Sequence, residues 1–167
     1  MRSCERGTIA EMSHCRQQAF IEAPPEIVWN LLSDVDRHED WWAGMVEVEC
    51  EGLEAGCTYR QVETGPFGRD FGNTLTVERL EDCEELSIRC LDTGTFVRFT
   101  LTEARGGTFV DGEAGMEPAR IPHRVWDTLA GKRFYRDWLA KSLDAMEDVA
   151  KAEASGSTPS SARGSGR

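Results

Sequence analysis

The sequence is short of most features that announce a chemistry. Its three histidines, His14, His38 and His123, are scattered, and no two of its six cysteines (Cys4, Cys15, Cys50, Cys57, Cys83, Cys90) form a C-x-x-C pair. The spacing of a zinc or dithiol redox centre is missing, so no metal is expected. Neither G-x-x-x-x-G-K-[ST] nor G-x-G-x-x-G occurs; both common glycine-rich phosphate cradles are absent, and no cofactor is expected. Basic residues are outnumbered, 19 Lys and Arg against 30 Asp and Glu, for a net charge of -11. Sequence-independent affinity for nucleic acid comes largely from Lys and Arg contacts to phosphate, so nucleic acid is not an expected partner. No run of about 18 apolar residues is present, and the first 15 residues lack the apolar stretch of a secretory signal. No stable membrane insertion is expected, and the expected location is the cytoplasm. The thiols are then expected to be mostly reduced. Cys50 and Cys57 flank the turn-like EGLEAG, which leaves a cross-strand disulfide between them open.

What is present is the material of one domain. At 167 residues the chain can bury roughly 68 to 70% of its unfolded surface in a single core. Residues 1–15 read as a flexible arm and residues 153–167 as a disordered tail rich in Ser, Gly and Arg, leaving 16–152 as the domain. The longest element is a helix over Pro122–Ala152, with Val125, Leu129, Leu139, Leu143, Met146 and Ala150 on one stripe. Between residues 45 and 117 the pattern changes to period two, in six runs separated by short turns: Val46–Glu51, Thr58–Glu63, Asn73–Leu80, Glu85–Leu91, Phe96–Glu103 and Thr108–Glu117. Hairpin-length links make neighbouring strands antiparallel. A first strand over Gln17–Ala23 and two short helices, the first entered at Pro24-Pro25-Glu26 and the second over Arg37–Ala43, precede them. The predicted class is α+β: strand, two short helices, six strands, long helix. Leu75, Val77, Leu86, Ile88, Cys90, Val97, Phe99, Leu101, Val110, Ala114 and Met116 fall on the phase turned to the helix, and Thr74, Thr76, Glu78, Arg89, Arg98, Thr100, Asp111 and Glu113 on the wet phase.

The opening FIEAPPEIVWNLLSDVDRHEDWW, this order of elements and the closing RFYRDWLAKSLDAMEDV together resemble the START-like, or SRPBCC, superfamily, which includes polyketide cyclases and dehydrases, lipid-transport proteins and the birch pollen allergen group. The resemblance spans residues 17–152. It implies a helix-grip fold, in which a bent antiparallel sheet closes around the long helix and leaves a cavity that commonly takes hydrophobic small molecules. It implies no shared catalytic residue.

Several residues invite a role in such a cavity. Helical winding puts Arg136, and Lys132 one turn earlier, on the stripe facing the sheet, where a charge costs several kcal/mol unless paired or hydrated. Each is either an anchor for a ligand carboxylate or carbonyl, or a side chain that snorkels past the sheet edge. Of the five tryptophans, Trp29 and Trp138 read as core, whereas the family fold places Trp41, Trp42 and Trp126 at the cavity entrance. The glycine-rich link from Thr64 to Gly72 presents Phe67 and Phe71 as a flap or as cover for the sheet end. Val97, Phe99, Leu101, Val110 and Leu129 are the expected apolar lining. Glu63, Asp111 and Glu113 fall on the phase assigned to water, and Cys90, with no histidine near it in sequence, reads as a small buried hydrophobe. The leading expectation is a domain that binds a hydrophobic or aromatic small molecule, lipid or polyketide-like. A polyketide aromatase or cyclase using the same cavity, and a co-chaperone-like protein-interaction module, are the alternatives, with a homodimer left open.

Overall fold

The computed structural model describes residues 14–65, 68–117 and 131–156. Strand β1 (His14–Ile21) leads to helix α1 (Pro25–Ser33), a 3-10 turn (Val35–Arg37) and helix α2 (His38–Trp41). Six strands follow, β2 (Met45–Glu49), β3 (Thr58–Thr64), β4 (Asp70–Glu81), β5 (Glu85–Cys90), β6 (Thr95–Ala104) and β7 (Gly107–Met116), and the described chain closes with helix α3 (Lys132–Ala154). All seven strands form one bent antiparallel sheet in the order β1-β7-β6-β5-β4-β3-β2. This is the α+β order expected from the pattern, and the helix-grip architecture that the resemblance implies.

Local chemistry explains most boundaries. Pro25 and Glu26 occupy the first turn of α1, where a missing N–H costs nothing and a carboxylate meets the positive end of the helix dipole. The Asp34 carboxylate accepts from the Asp36 N–H at 3.1 Å and starts the 3-10 turn. The helix expected over Arg37–Ala43 is therefore divided into that turn and the four-residue α2. Between β6 and β7 only Arg105 and Gly106 turn the chain, and Gly106 takes φ +86°, a conformation open to glycine. In β4 the pairing steps from Val77–Ile88 to Arg79–Ser87, leaving Glu78 as a bulge that bends the sheet.

β1 begins three residues earlier than its local pattern suggests, and it takes in His14 and Cys15, which the sequence reading assigned to the arm. Its ladder to β7, from His14–Gly115 to Ile21–Thr108, supplies the pairing. The expected tail and the remainder of the arm lie outside the described residues, apart from residues 153–156, where α3 runs on to Ala154. The expected start of the long helix, from Pro122 to Ala130, also lies outside them.

Every strand residue assigned inward is buried, including Leu86, Ile88, Phe99 and Val110, and the core is completed by Leu31, Leu32, Trp29 and Trp41 from the short helices. α3 contributes Tyr135, Leu139, Ser142, Leu143, Met146 and Ala150. It rests on the sheet at Gly112, where an added Cβ would come within 2.8 Å of Leu139 Cδ1. The outer face carries ion pairs, among them Arg16 to Asp111 at 2.5 Å and Arg98 to Glu113 at 3.1 Å. Cys15, Cys50, Cys57, Cys83 and Cys90 are free thiols, so Cys50 and Cys57 are unbridged. No helix among the described residues is long and apolar enough to cross a membrane.

Candidate functional site

α3 covers the sheet unevenly. Where Leu139 meets Gly112 and Phe99 the two layers touch, but toward the N-terminal turns of α3 they separate and leave a cavity of about 210 Å³. β4 and β5 contribute Phe71, Asn73, Leu75, Ile88 and Cys90 to its wall; β6 and β7 contribute Thr95, Phe96, Val97, Ala114 and Met116. Phe134, Tyr135 and Trp138 come from α3, and Trp42, Ala43, Glu63 and Thr64 close the β3 side. Five of the lining side chains are aromatic, Trp42, Phe71, Phe134, Tyr135 and Trp138, whereas Phe96 borders the space with its ring on the outer face, 5.6 Å under the Arg89 guanidinium. The alternation of β4 sends Phe71, Asn73 and Leu75 to this side, as that of β5 sends Ile88 and Cys90, and the short α2 turns Trp42 toward it.

The polar groups are few and held in place. Trp42 Nε1 donates to Glu63 Oε1 at 2.8 Å, and Gln61 Nε2 donates to the same oxygen. Burial pushes the Glu63 carboxyl above its ordinary range, and these two donors offset part of that rise. No ion pair reaches Glu63 among the described residues. Gln61 Oε1 and the Tyr59 hydroxyl, one and two alternations back along β3, are buried with no hydrogen-bond partner there. Burial also drives the Tyr59 phenol far above its usual range. On the opposite wall Tyr135 and Thr95 share a hydroxyl contact at 3.0 Å, extended by Thr93 Oγ1 donating to Thr95 Oγ1 at 2.9 Å.

Trp42 is itself clamped. Its ring lies 5.2 Å from that of Trp138 in a T-shaped contact, and His38 stacks on it at 5.5 Å. His38 is fully buried and donates Nε2–H to the Leu32 carbonyl at 2.8 Å, which leaves Nδ1 as the unprotonated nitrogen of a neutral ring. Burial lowers its pKa from the usual 6.5. Among the described residues, no group of three or more His, Cys, Asp or Glu side chains could hold a metal ion.

Of the residues singled out in the sequence, Trp42, Phe71 and Val97 line the cavity. Phe67, Trp126 and Leu129 lie outside the described residues. Phe99, Leu101 and Val110 are buried, but in the solid part of the core rather than the cavity wall. Trp41 is a core residue too: its indole donates to the Leu31 carbonyl at 2.7 Å and it packs edge-on against Phe99 at 5.4 Å. Neither Arg136 nor Lys132 lines the cavity, which goes against the anchor reading and leaves both side chains at the surface. Arg136 is 60% exposed and pairs with the adjacent Asp137 at 3.3 Å, and Lys132 is also exposed. At about 100° per residue Arg136 falls just beyond Leu143, which is the flank and not the centre of the buried stripe.

Glu63 belongs to the cavity and not to the wet phase, and Asn73, Phe134 and Tyr135 are lining residues absent from the sequence expectation. The signal for Glu63 was available: Tyr59, Gln61 and Glu63 share one phase of β3, and a strand keeps its phase whatever the charge at its end. Tyr135 stands four residues before Leu139 on the same stripe. Trp138, read as core, both packs and lines the cavity.

No curated protein matches the chain. Among solved structures, a protein from Nitrosomonas europaea is similar with a TM-score of 0.70 at 15% identity, over 88% of this chain and 99% of that one. An AHSA1-like protein from Aeromonas hydrophila gives 0.58 at 24% identity, covering 86% of this chain and 94% of its own. A polyketide-cyclase-like protein from Corynebacterium glutamicum gives 0.59 at 17% identity, with 87% and 95% covered. These likenesses concern the fold. The profile of the Activator of Hsp90 ATPase homolog 1-like proteins matches residues 22–140, and the chain belongs to that family, within the START-like SRPBCC superfamily.

Proposed function

We propose that this domain binds a small hydrophobic or aromatic molecule in the cavity between the bent sheet and α3. The observation that carries this reading is the half-open space of about 210 Å³ between two otherwise well-packed layers, lined mainly by aromatic and aliphatic side chains. An apolar cavity of about 150 Å³ suffices for benzene, so the space fits one ring with a short substituent, and a longer chain would extend from its open side. Because the aliphatic wall is already buried, the gain comes mainly from the apolar surface of the ligand itself, about 25 cal/mol per Å² removed from water.

Native mass spectrometry of protein taken from its own host, compared with the denatured sample, tests the reading. A discrete mass lost on denaturation supports it. No bound mass, together with no thermal stabilisation by any member of a lipophilic library, overturns it in favour of a protein-interaction role.

A second reading draws on Glu63. A cyclase or dehydratase acting by positioning its substrate needs a titratable group on the cavity wall, and this carboxyl is one. Turnover of a cyclisable polyketide mimic that survives Glu63→Gln unchanged would remove Glu63 from that role.

A further inference from the structure

We infer that the molecule this cavity selects carries a positive charge, as a lipophilic ammonium or amidinium, with Glu63 as its counter-ion and the surrounding rings as its cage. The inference rests on the cavity being a binding site. Its first support is the charge on the wall: among the described lining residues Glu63 is the sole acid and no Lys, Arg or His is present. The two cations that sequence placed there are outside it, Lys132 exposed and Arg136 turned to Asp137. An anionic ligand would be stripped of water with no counter-charge to meet it, a cost of several kcal/mol.

The second support is the state of Glu63. Both hydrogen bonds it accepts come from neutral donors, Trp42 and Gln61, and both reach Oε1. They orient the carboxyl without neutralising it, and Oε2 has no partner among the described residues. A cation at that oxygen would supply the charge compensation the protein does not.

The third support is the surroundings of that oxygen. Phe71 is the cross-strand partner of Glu63, Trp42 is bonded to it, and Trp138 meets Trp42 ring to ring at 5.2 Å. Trp42 turns its N–H edge to Glu63 and is stacked on by His38, so the attraction of a ring face for an ammonium group, about 0.5 to 2 kcal/mol, is left to the other aromatic residues that line the cavity, Phe71 and Trp138. The net charge of -11 favours the approach of a cation from solvent.

The test uses three probes of matched size, 2-phenylethylammonium, 2-phenylethanol and phenylacetate, titrated into the full chain and followed by amide chemical shifts. The expected result is an ammonium Kd at least about tenfold below that of the alcohol, no cavity shifts with phenylacetate, and shifts centred on residues around Trp42, Phe71 and Trp138. Glu63→Gln keeps an oxygen for the Trp42 N–H and should bring the ammonium to the affinity of the alcohol, leaving the alcohol unchanged. If that variant does not fold, the ranking on the wild-type protein decides alone. Alcohol or phenylacetate binding in the cavity as tightly as the ammonium overturns the inference and leaves the binding site standing. If no probe and no library member shifts the cavity residues, the binding site fails and the inference with it.

Discussion

Trp138 of α3 and Ala43 of the link between α2 and β2 are joined through the backbone: the indole N–H donates to the Ala43 carbonyl at 2.9 Å. One turn further along α3, the buried Ser142 Oγ accepts the Ala43 N–H at 3.1 Å. Both polar groups of one residue are therefore satisfied by the long helix, and Trp42 next to it is held against the cavity. Ser142→Ala leaves that N–H without its acceptor and is expected to cost about 1 to 3 kcal/mol, read from the urea midpoint. Trp138→Phe keeps a ring but loses the donor, and should cost about 1 kcal/mol while loosening Trp42, visible as a shift in tryptophan fluorescence. Unchanged midpoints in both variants would mean the helix is held elsewhere.

Glu63 gives a pH dependence of definite sign. Its folded-state carboxyl titrates above the ordinary value of 4.5, so the folded protein keeps a proton that the unfolded chain has released. This contribution to stability is full below the ordinary value and is lost as pH rises through the folded-state value. Glu63→Gln cannot ionise, and its stability relative to wild type should increase as pH is raised from about 4 to about 8. A difference between the two that stays flat across that range contradicts the burial described here.

His38 acts in the opposite direction. Its folded-state pKa lies below 6.5 because the ring is buried and neutral. Its contribution is present above that value and is lost as pH falls through the folded-state value, since the unfolded chain takes up the proton first. His38→Gln should have a lower melting temperature at neutral pH and a shallower decline with acidification. Parallel acid limbs in the two proteins would show that other groups set the decline.

Gly107 stands where β7 meets the end of β1. An added Cβ there would lie 2.2 Å from the Ile21 carbonyl oxygen, a backbone atom that cannot step aside. Gly107→Ala is expected to cost about 2 kcal/mol or more. Gly106→Ala, whose Cβ would enter open space, is strained only by its φ of +86° and should cost about 1 kcal/mol. Denaturant titration of the pair distinguishes a clash from a conformational preference.

The fold was legible because its signals are local. Alternation in Leu86, Ile88 and Cys90 or Val97, Phe99 and Leu101 can place only one phase inward, and Pro25, Asp34 and Gly106 mark ends by their own backbone chemistry. The site was less legible because a cavity is a place where two layers fail to meet, and no residue states that locally. Phe99 and Val97 are equally apolar and share a phase; only the position of Leu139 over Gly112 decides that one is covered by the helix and the other faces open space. Arg136 and Glu63 were misplaced from opposite sides of one error. Neither charge nor helical angle alone fixes burial, which depends on where the helix crosses the sheet and how far the strand's inward phase continues.

The pairing of β1 with β7 ties residue 14 to residue 115, and it sets the order in which this chain can be made. While a ribosome is still extending the strands, β1 has no partner and α1 and α2 have no finished sheet to cover. The apolar phases of β4, β5 and β6 must therefore wait, unprotected, until about two thirds of the chain has emerged. A sheet in which the first described strand is completed by the last is slow to become safe from aggregation, and a chain released before β7 would leave β1 and β6 without the strand that joins them.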